Sequence, residues 1–190
     1  MSRWEPNTRE RLLDAALELF GEHGYDNVTV AEIAERAGLT KRTFFRHFPD
    51  KREVLFAGQE LLSRILADAV TAAPASATPA EAVGSALAAA AAEFGPERQE
   101  RGRRVQAVVA DHRDLRERGL LKRATLTAAM AGALRERGVP DPAAGLAAEI
   151  GGLAFWTAFA RWTEPGVERD FAALAAEALA EFLAATATLG

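Results

Sequence analysis

An all-α fold of about nine helices is predicted, on three observations. Alanine is the commonest residue, β-branched residues rarely alternate with polar ones, and apolar positions recur three and four apart between glycine and proline breaks. With 190 residues, 49% of them hydrophobic, the chain can bury a core as one large domain or two small ones. The absence of cysteine excludes disulfides, thiolate metal sites and a cysteine nucleophile. His23, His47 and His112 are too scattered for zinc, so neither metal nor cofactor is expected. The N-terminus has no signal-like apolar segment and the longer apolar stretches are broken, so the expected location is cytoplasmic. A net charge of -4 argues against coating nucleic acid through bulk charge and leaves local, geometric binding.

Thr8 reads as the cap of a first helix carrying Leu12, Leu13, Ala16, Leu17, Leu19 and Phe20, ended by Gly21 and Gly24. Thr29, with Glu32 at the capping-box position, starts a short helix bearing Val30, Ile33, Ala34 and Ala37 on one face. After Gly38, Thr40 caps a second short helix that Pro49 closes. Asp50 then caps a long helix expected over 51–72, with Val54, Leu55, Leu61, Leu62, Ile65, Leu66 and Ala69 as apolar positions. An Ala/Ser/Thr/Pro stretch follows, and further helices are expected at 79–94, 97–110, 112–138, 141–162 and 167–189.

Two short helices about a glycine turn, the first apolar on one face and the second polar, meet the requirements of a helix-turn-helix whose second helix enters the DNA major groove. Thr40, Lys41, Arg42, Thr43, Arg46 and His47 offer donors to phosphates and base edges, Phe44 and Phe48 face inward, and Phe45 lies between the two sets. A charged face can equally be mere solvated surface. Here Lys51 and Arg52 join Lys41, Arg42 and Arg46 within one short stretch of an acidic chain, which favours the reading surface. The expected division is a DNA-binding domain at 1–52 and a larger helical domain at 53–190.

The blocks TVAEIA at Thr29 to Ala34, AGL at Ala37 to Leu39 and HFPDK at His47 to Lys51, in that order behind the Leu12 to Phe20 helix, resemble the N-terminal signature of TetR-type repressors. The resemblance covers about the first 55 residues. It implies DNA contacts, mainly to phosphate, at Thr29, Lys41, Thr43, Phe45, His47 and Lys51. This sequence departs from the pattern where Phe45 and Arg46 replace the usual tyrosine pair and Arg42 replaces a small residue. Arginines at these places add charge and the possibility of bidentate guanine contacts. The resemblance further implies a homodimer on double-stranded operator DNA, a four-helix dimer seam from the last two helices, and a small effector bound between the helices of the larger domain.

For that seam the candidates are Leu153, Phe155, Phe159, Trp162, Leu174, Leu179 and Phe182; a seam and a core stripe look alike in sequence, so both readings stay open. The candidate ligand lining is Phe94, Arg104, Val108, Met130 and Trp156, residues that also suit an ordinary core. The arginine-rich stretch from Arg98 to Arg123 is either a solvated face or the mouth of a site for a phosphate-bearing ligand such as an acyl-coenzyme A. The sequence has no nucleophile elbow, phosphate loop, zinc-protease motif or dinucleotide fingerprint, and Asp111, His112 and Asp114 form an isolated cluster, so no enzyme is expected.

Overall fold

A computed structural model describes residues 8–188, and every regular element among them is helical. In chain order these are α1 (Thr8–His23), α2 (Val30–Arg36), α3 (Lys41–His47), a 3-10 turn (Arg52–Phe56), α4 (Gln59–Ala72), α5 (Pro79–Ala91), α6 (Pro96–Asp111), α7 (Arg113–Glu136), α8 (Asp141–Trp162) and α9 (Phe171–Ala187). The end of the last expected helix, residue 189, lies outside the described residues.

Several boundaries differ from the sequence expectation, α5 ending at Ala91 rather than 94 and α7 at Glu136 rather than 138 among them. Gly21 lies inside α1, and the helix ends instead at Gly24, which adopts a left-handed φ of 79°. The single helix expected over 51–72 is divided. Asp50 Oδ1 accepts the amides of Arg52 and Glu53 at 2.8 and 3.2 Å and starts a 3-10 turn, and Gly58, at φ 90°, separates that turn from α4. Val54, Leu55 and Phe56 are all buried; three consecutive inward residues do not fit the single stripe of an α-helix and suit a short, tighter turn. Leu61, expected among the apolar positions of the long helix, is exposed. The final helix starts at Phe171 rather than 167, because Asp170 Oδ1 accepts the Ala173 amide at 2.6 Å and so caps it.

The helices form two compact units, one comprising residues up to 58 with 104–119, the other 59–103 with 120–190. The boundary expected at 52 falls inside the 3-10 turn of the first. That unit's core joins Leu12, Leu17 and Phe20 of α1 to Ile33 of α2, Phe44 of α3, the three apolar residues of the 3-10 turn, and Leu115 of α7. A carboxylate of Glu53 accepts Arg118 Nε at 2.5 Å in the same unit.

The second unit is built on α4, α5, α8 and α9 with Leu126, Met130 and Leu134 of α7. Small residues permit close helix approach here. A Cβ on Gly151 would stand 2.5 Å from Val83 Cγ1, and one on Gly152 would stand 2.5 Å from Thr127 Oγ1. Two helix ends in this unit are closed by distant side chains. Gln99 Nε2 donates to the carbonyls of Trp162 and Val167, and Arg103 Nε to that of Thr163, at the end of α8. Arg137 serves Thr71, Ala73 and Pro74 at the end of α4. By length and composition α8 is apolar enough to span a membrane, but half of that stretch is buried, as befits a central core helix.

Gly151→Ala is expected to lower the unfolding free energy by about 1–3 kcal/mol through overpacking. Gly145→Ala, on the same helix with nothing within 4 Å of the added carbon, should raise it by up to about 1 kcal/mol through helix propensity. Urea denaturation of both variants checks the contrast.

Candidate nucleic-acid interface

The geometry of the first unit starts from its helix ends. Thr29 Oγ1 accepts the Glu32 amide at 3.3 Å while Glu32 Oε2 takes the Thr29 amide and hydroxyl, both at 2.7 Å, completing the expected capping box. Those hydrogen bonds hold the Glu32 carboxyl below its ordinary range. At the other end of α2, Gly38 takes φ 66°, its amide donates to Glu35 O at 2.9 Å, and the Leu39 amide donates to Ala34 O at 2.8 Å. This paired closure needs the left-handed residue that glycine provides without steric cost. Thr40 then caps α3 by accepting the Thr43 amide at 3.1 Å, with the two threonine hydroxyls 3.0 Å apart.

Helix α3 is thereby divided into two faces. Phe44 is fully buried, with Phe48 beneath it at 5.6 Å between ring centroids. Lys41, Arg42, Phe45 and Arg46 are exposed, and Phe45 keeps 48% of its surface in solvent. Lys41 Nζ lies 5.9 Å from the centre of the Phe45 ring, one turn along the helix. Among the described residues, Lys41, Arg42 and Arg46 have no carboxylate partner, whereas Arg36, Arg52, Arg98, Arg103, Arg113, Arg118, Arg135, Arg161 and Arg169 all do.

The remaining predicted DNA residues sit differently. Thr29 is exposed with its hydroxyl proton engaged in the cap. His47 is partly buried, its Nε2 enclosed without a hydrogen-bond partner, and burial followed by the charges of Arg46 and Arg9 pushes its pKa down, so the ring is neutral at pH 7. Lys51 is half-buried and donates to the carbonyls of Tyr25 and Val28 at 2.6 and 2.9 Å, with its ammonium 4.2 Å from the centre of the Tyr25 ring. Burial pushes the Tyr25 phenol up to about 12. The His112 ring packs tilted against the same ring, at 4.7 Å between centroids. Lys51 therefore ties the loop before α2 to the turn after α3, a structural duty the sequence did not reveal.

The ligand candidates are divided between the two units. Val108 packs on the first unit's core, and Arg104 belongs to that unit, whereas Met130 is buried in the second unit with Phe94 and Trp156 packed against its core. There Phe94 stacks on Phe171 at 4.2 Å, and Arg123 lies over the Trp156 ring at 4.6 Å. The Trp156 indole N–H is enclosed without an acceptor. A half-open apolar cavity of about 210 Å³ lies between α5 and α9, lined by Gly84, Leu87, Ala175, Leu179 and Leu183 among others. Of the seam candidates, Phe155, Trp162, Leu174 and Leu179 are buried within the protomer, Phe159 and Phe182 are partly buried, and Leu153 is 52% exposed. Leu146, seven residues earlier on α8, is 59% exposed on the same face.

Residues 12–57 match the family model described as bacterial regulatory proteins of the tetR family. The chain is 39% identical over 82 residues to the regulator TcmR of Streptomyces glaucescens, covering 43% of this chain and 36% of that protein. It is 38% identical over 96 residues to BetI of Rhizobium meliloti, covering 49% and 47%. The matches thus span under half the length of these curated relatives. Similarity of fold runs further. The triclosan complex of SmeT, a repressor from Stenotrophomonas maltophilia, superposes over 95% of this chain and 91% of its own with a TM-score of 0.61 at 24% identity. FadR of Thermus thermophilus in complex with lauroyl-CoA does so over 92% and 93% with a TM-score of 0.54 at 25% identity. The helix-turn-helix blocks and the family model agree on residues 12–57 as a segment similar to the tetR family of bacterial regulatory proteins, and the all-helical fold is similar to that of solved regulators of that family over most of the chain.

Proposed function

We propose that the chain is a transcriptional repressor that reads a palindromic operator in double-stranded DNA as a homodimer and is released by a small hydrophobic effector. The observation that carries the DNA reading is the exposed face of α3. Lys41, Arg42 and Arg46 project there without intramolecular acids, whereas nine other described arginines, Arg36 and Arg161 among them, each pair with a carboxylate. Arg42 reads a base edge and Lys41 and Arg46 hold phosphates, with Thr40 and Thr43 at the start of α3 supporting a phosphate through amide and hydroxyl groups. Phe45 packs on sugar or a thymine methyl. His47 takes part as a neutral group and releases no counterion, Thr29 acts from the start of α2, and Lys51 offers its remaining ammonium proton. One head spans too few base pairs for useful specificity, so two heads on half-sites about one helical turn or a multiple apart complete the reader.

Dimerisation is assigned to the outer face of α8, where Leu146 and Leu153 are exposed, together with the alanine-rich outer face of α9. A hydrophobic effector is favoured by the aromatic cluster of the second unit and by the enclosed Trp156 N–H, which offers one hydrogen bond to a polar atom of a ligand. The SmeT and FadR neighbours hold triclosan and lauroyl-CoA respectively. Because Arg98 pairs with Glu93, Arg103 with Glu100 and Arg113 with Glu117, a compact apolar molecule suits this chain better than a phosphate-bearing thioester.

Three measurements test this reading. In gel shifts with the DNA upstream of its own gene, wild type should bind and should weaken steeply between two salt concentrations. Arg42→Ala should cost about 1–3 kcal/mol on that DNA and little on a scrambled duplex, while Lys51→Ala should weaken both alike and also lower the melting temperature. Absence of any salt-dependent shift would remove the DNA reading. In light scattering, Leu153→Arg should convert a dimer to a monomer of unchanged helical content; a variant that stays dimeric would place the seam elsewhere. Triclosan at micromolar concentration should dissociate the DNA complex more effectively than lauroyl-CoA, and the reverse order would reinstate the phosphate-bearing class.

A further inference from the structure

Arg9 and Arg11 lie in the first turn of α1, yet each donates a hydrogen bond to another helix of the head. Arg11 Nη2 donates to the carbonyl of Ala37, the C-cap of α2, at 2.6 Å. It also approaches the Gly38 turn so closely that a Cβ there would stand 3.2 Å from the same nitrogen. Arg9 Nη2 donates to the carbonyl of His47, the last residue of α3, at 3.1 Å, with its guanidinium 5.3 Å from the centre of the Phe48 ring. Each target carbonyl lies at a helix end where intrahelical amides run out, and where the aligned peptide dipoles leave negative partial charge. A guanidinium there makes a charge-assisted hydrogen bond and opposes fraying. At its other end α1 holds Arg36 of α2 through Glu22, at 2.9 and 2.7 Å, and through Glu18 at 3.3 Å. The first helix is thus a splint bonded to the carbonyl ends of both helices of the helix-turn-helix.

We propose that Arg9 and Arg11 are positioning residues for sequence reading, fixing the angle at which α3 presents Lys41, Arg42 and Arg46; this rests on the DNA-reading function proposed above. A seven-residue helix is about 10 Å long, so a tilt of about 10° moves its far side chains by nearly 2 Å. Hydrogen bonds to base edges tolerate only a range of about 2.7–3.2 Å, whereas long side chains reaching phosphates can follow the movement. Loss of the splint therefore removes discrimination before it removes general affinity.

The test uses the full chain and a duplex selected by wild type from a random-sequence pool, beside a scrambled duplex. Arg9→Met and Arg11→Met keep the apolar stem and lose the donor; Arg9→Lys and Arg11→Lys restore a charged donor. Each Met variant should bind the selected duplex about tenfold more weakly, in keeping with the loss of one charged hydrogen bond, with scrambled binding and salt slope unchanged and partial recovery in the Lys variant. Equal loss on both duplexes with a reduced salt slope would make the residue a direct phosphate contact and overturn the proposal, as would undiminished discrimination. Amide exchange in the DNA-free protein separates this idea from the DNA reading. If wild type selects no duplex, that reading fails, yet the splint still requires faster exchange at Arg46, His47 and Phe48 in Arg9→Met with Leu17 unchanged, and unaltered exchange at all four refutes it. Where a Met variant does not fold, the Lys variant carries the same comparison with a smaller loss.

Discussion

Helix ends, more than helix interiors, govern this molecule. Helices α2 and α3 have seven residues each, well short of the length of about 12–15 at which an isolated helix becomes even marginally stable in water. Each spends most of its backbone on groups that no neighbouring turn can satisfy, and so depends on what the rest of the chain brings to its termini. Thr29 and Thr40 close the amide ends from within the local sequence, whereas arginines from α1 close the carbonyl ends from a distance. Burial of Ile33 and Phe44 then gives each short helix one anchor in the core.

The same device recurs in the second unit, where Gln99, Arg103 and Arg137 serve the carbonyl ends of α8 and α4. Its packing relies on small residues. Gly151 and Gly152 let α8 approach Val83 and Thr127 closely, and the alanines of α5, α8 and α9 fill the space between. Aromatic bulk is concentrated instead around Phe94, Phe155, Trp162 and Phe171, whose rings meet mostly edge to face.

What could be read from the sequence was local. The capping residues, Gly38, the inward Phe44 and Phe48 and the exposed basic residues of α3 all follow from periodicities and offsets within ten residues of one another. What could not be read was set by long-range packing. Nothing near Val54 announces that three adjacent apolar residues will all turn inward, and nothing near Arg9, Arg103 or Arg137 names a carbonyl 38 to 66 residues away. The arginine-rich stretch illustrates the point, because several of its members close helix ends or pair with glutamates. Nor does anything in the sequence distinguish the buried Phe155 and Trp162 from the exposed Leu153.

Helix α3 also carries a local conflict. Its first turn holds no acid and begins with Lys41 and Arg42, two positive charges set against the positive end of the helix's own dipole. Natural sequences are for the most part locally consistent, and such violations gather where function requires them. Helix α3 is therefore frustrated while the protein is free, and on the proposed function an anion bound at its exposed face would relieve the repulsion. Ions in solution then act in opposite directions on the two states, screening the strain of the free head while competing with the partner that would relieve it fully.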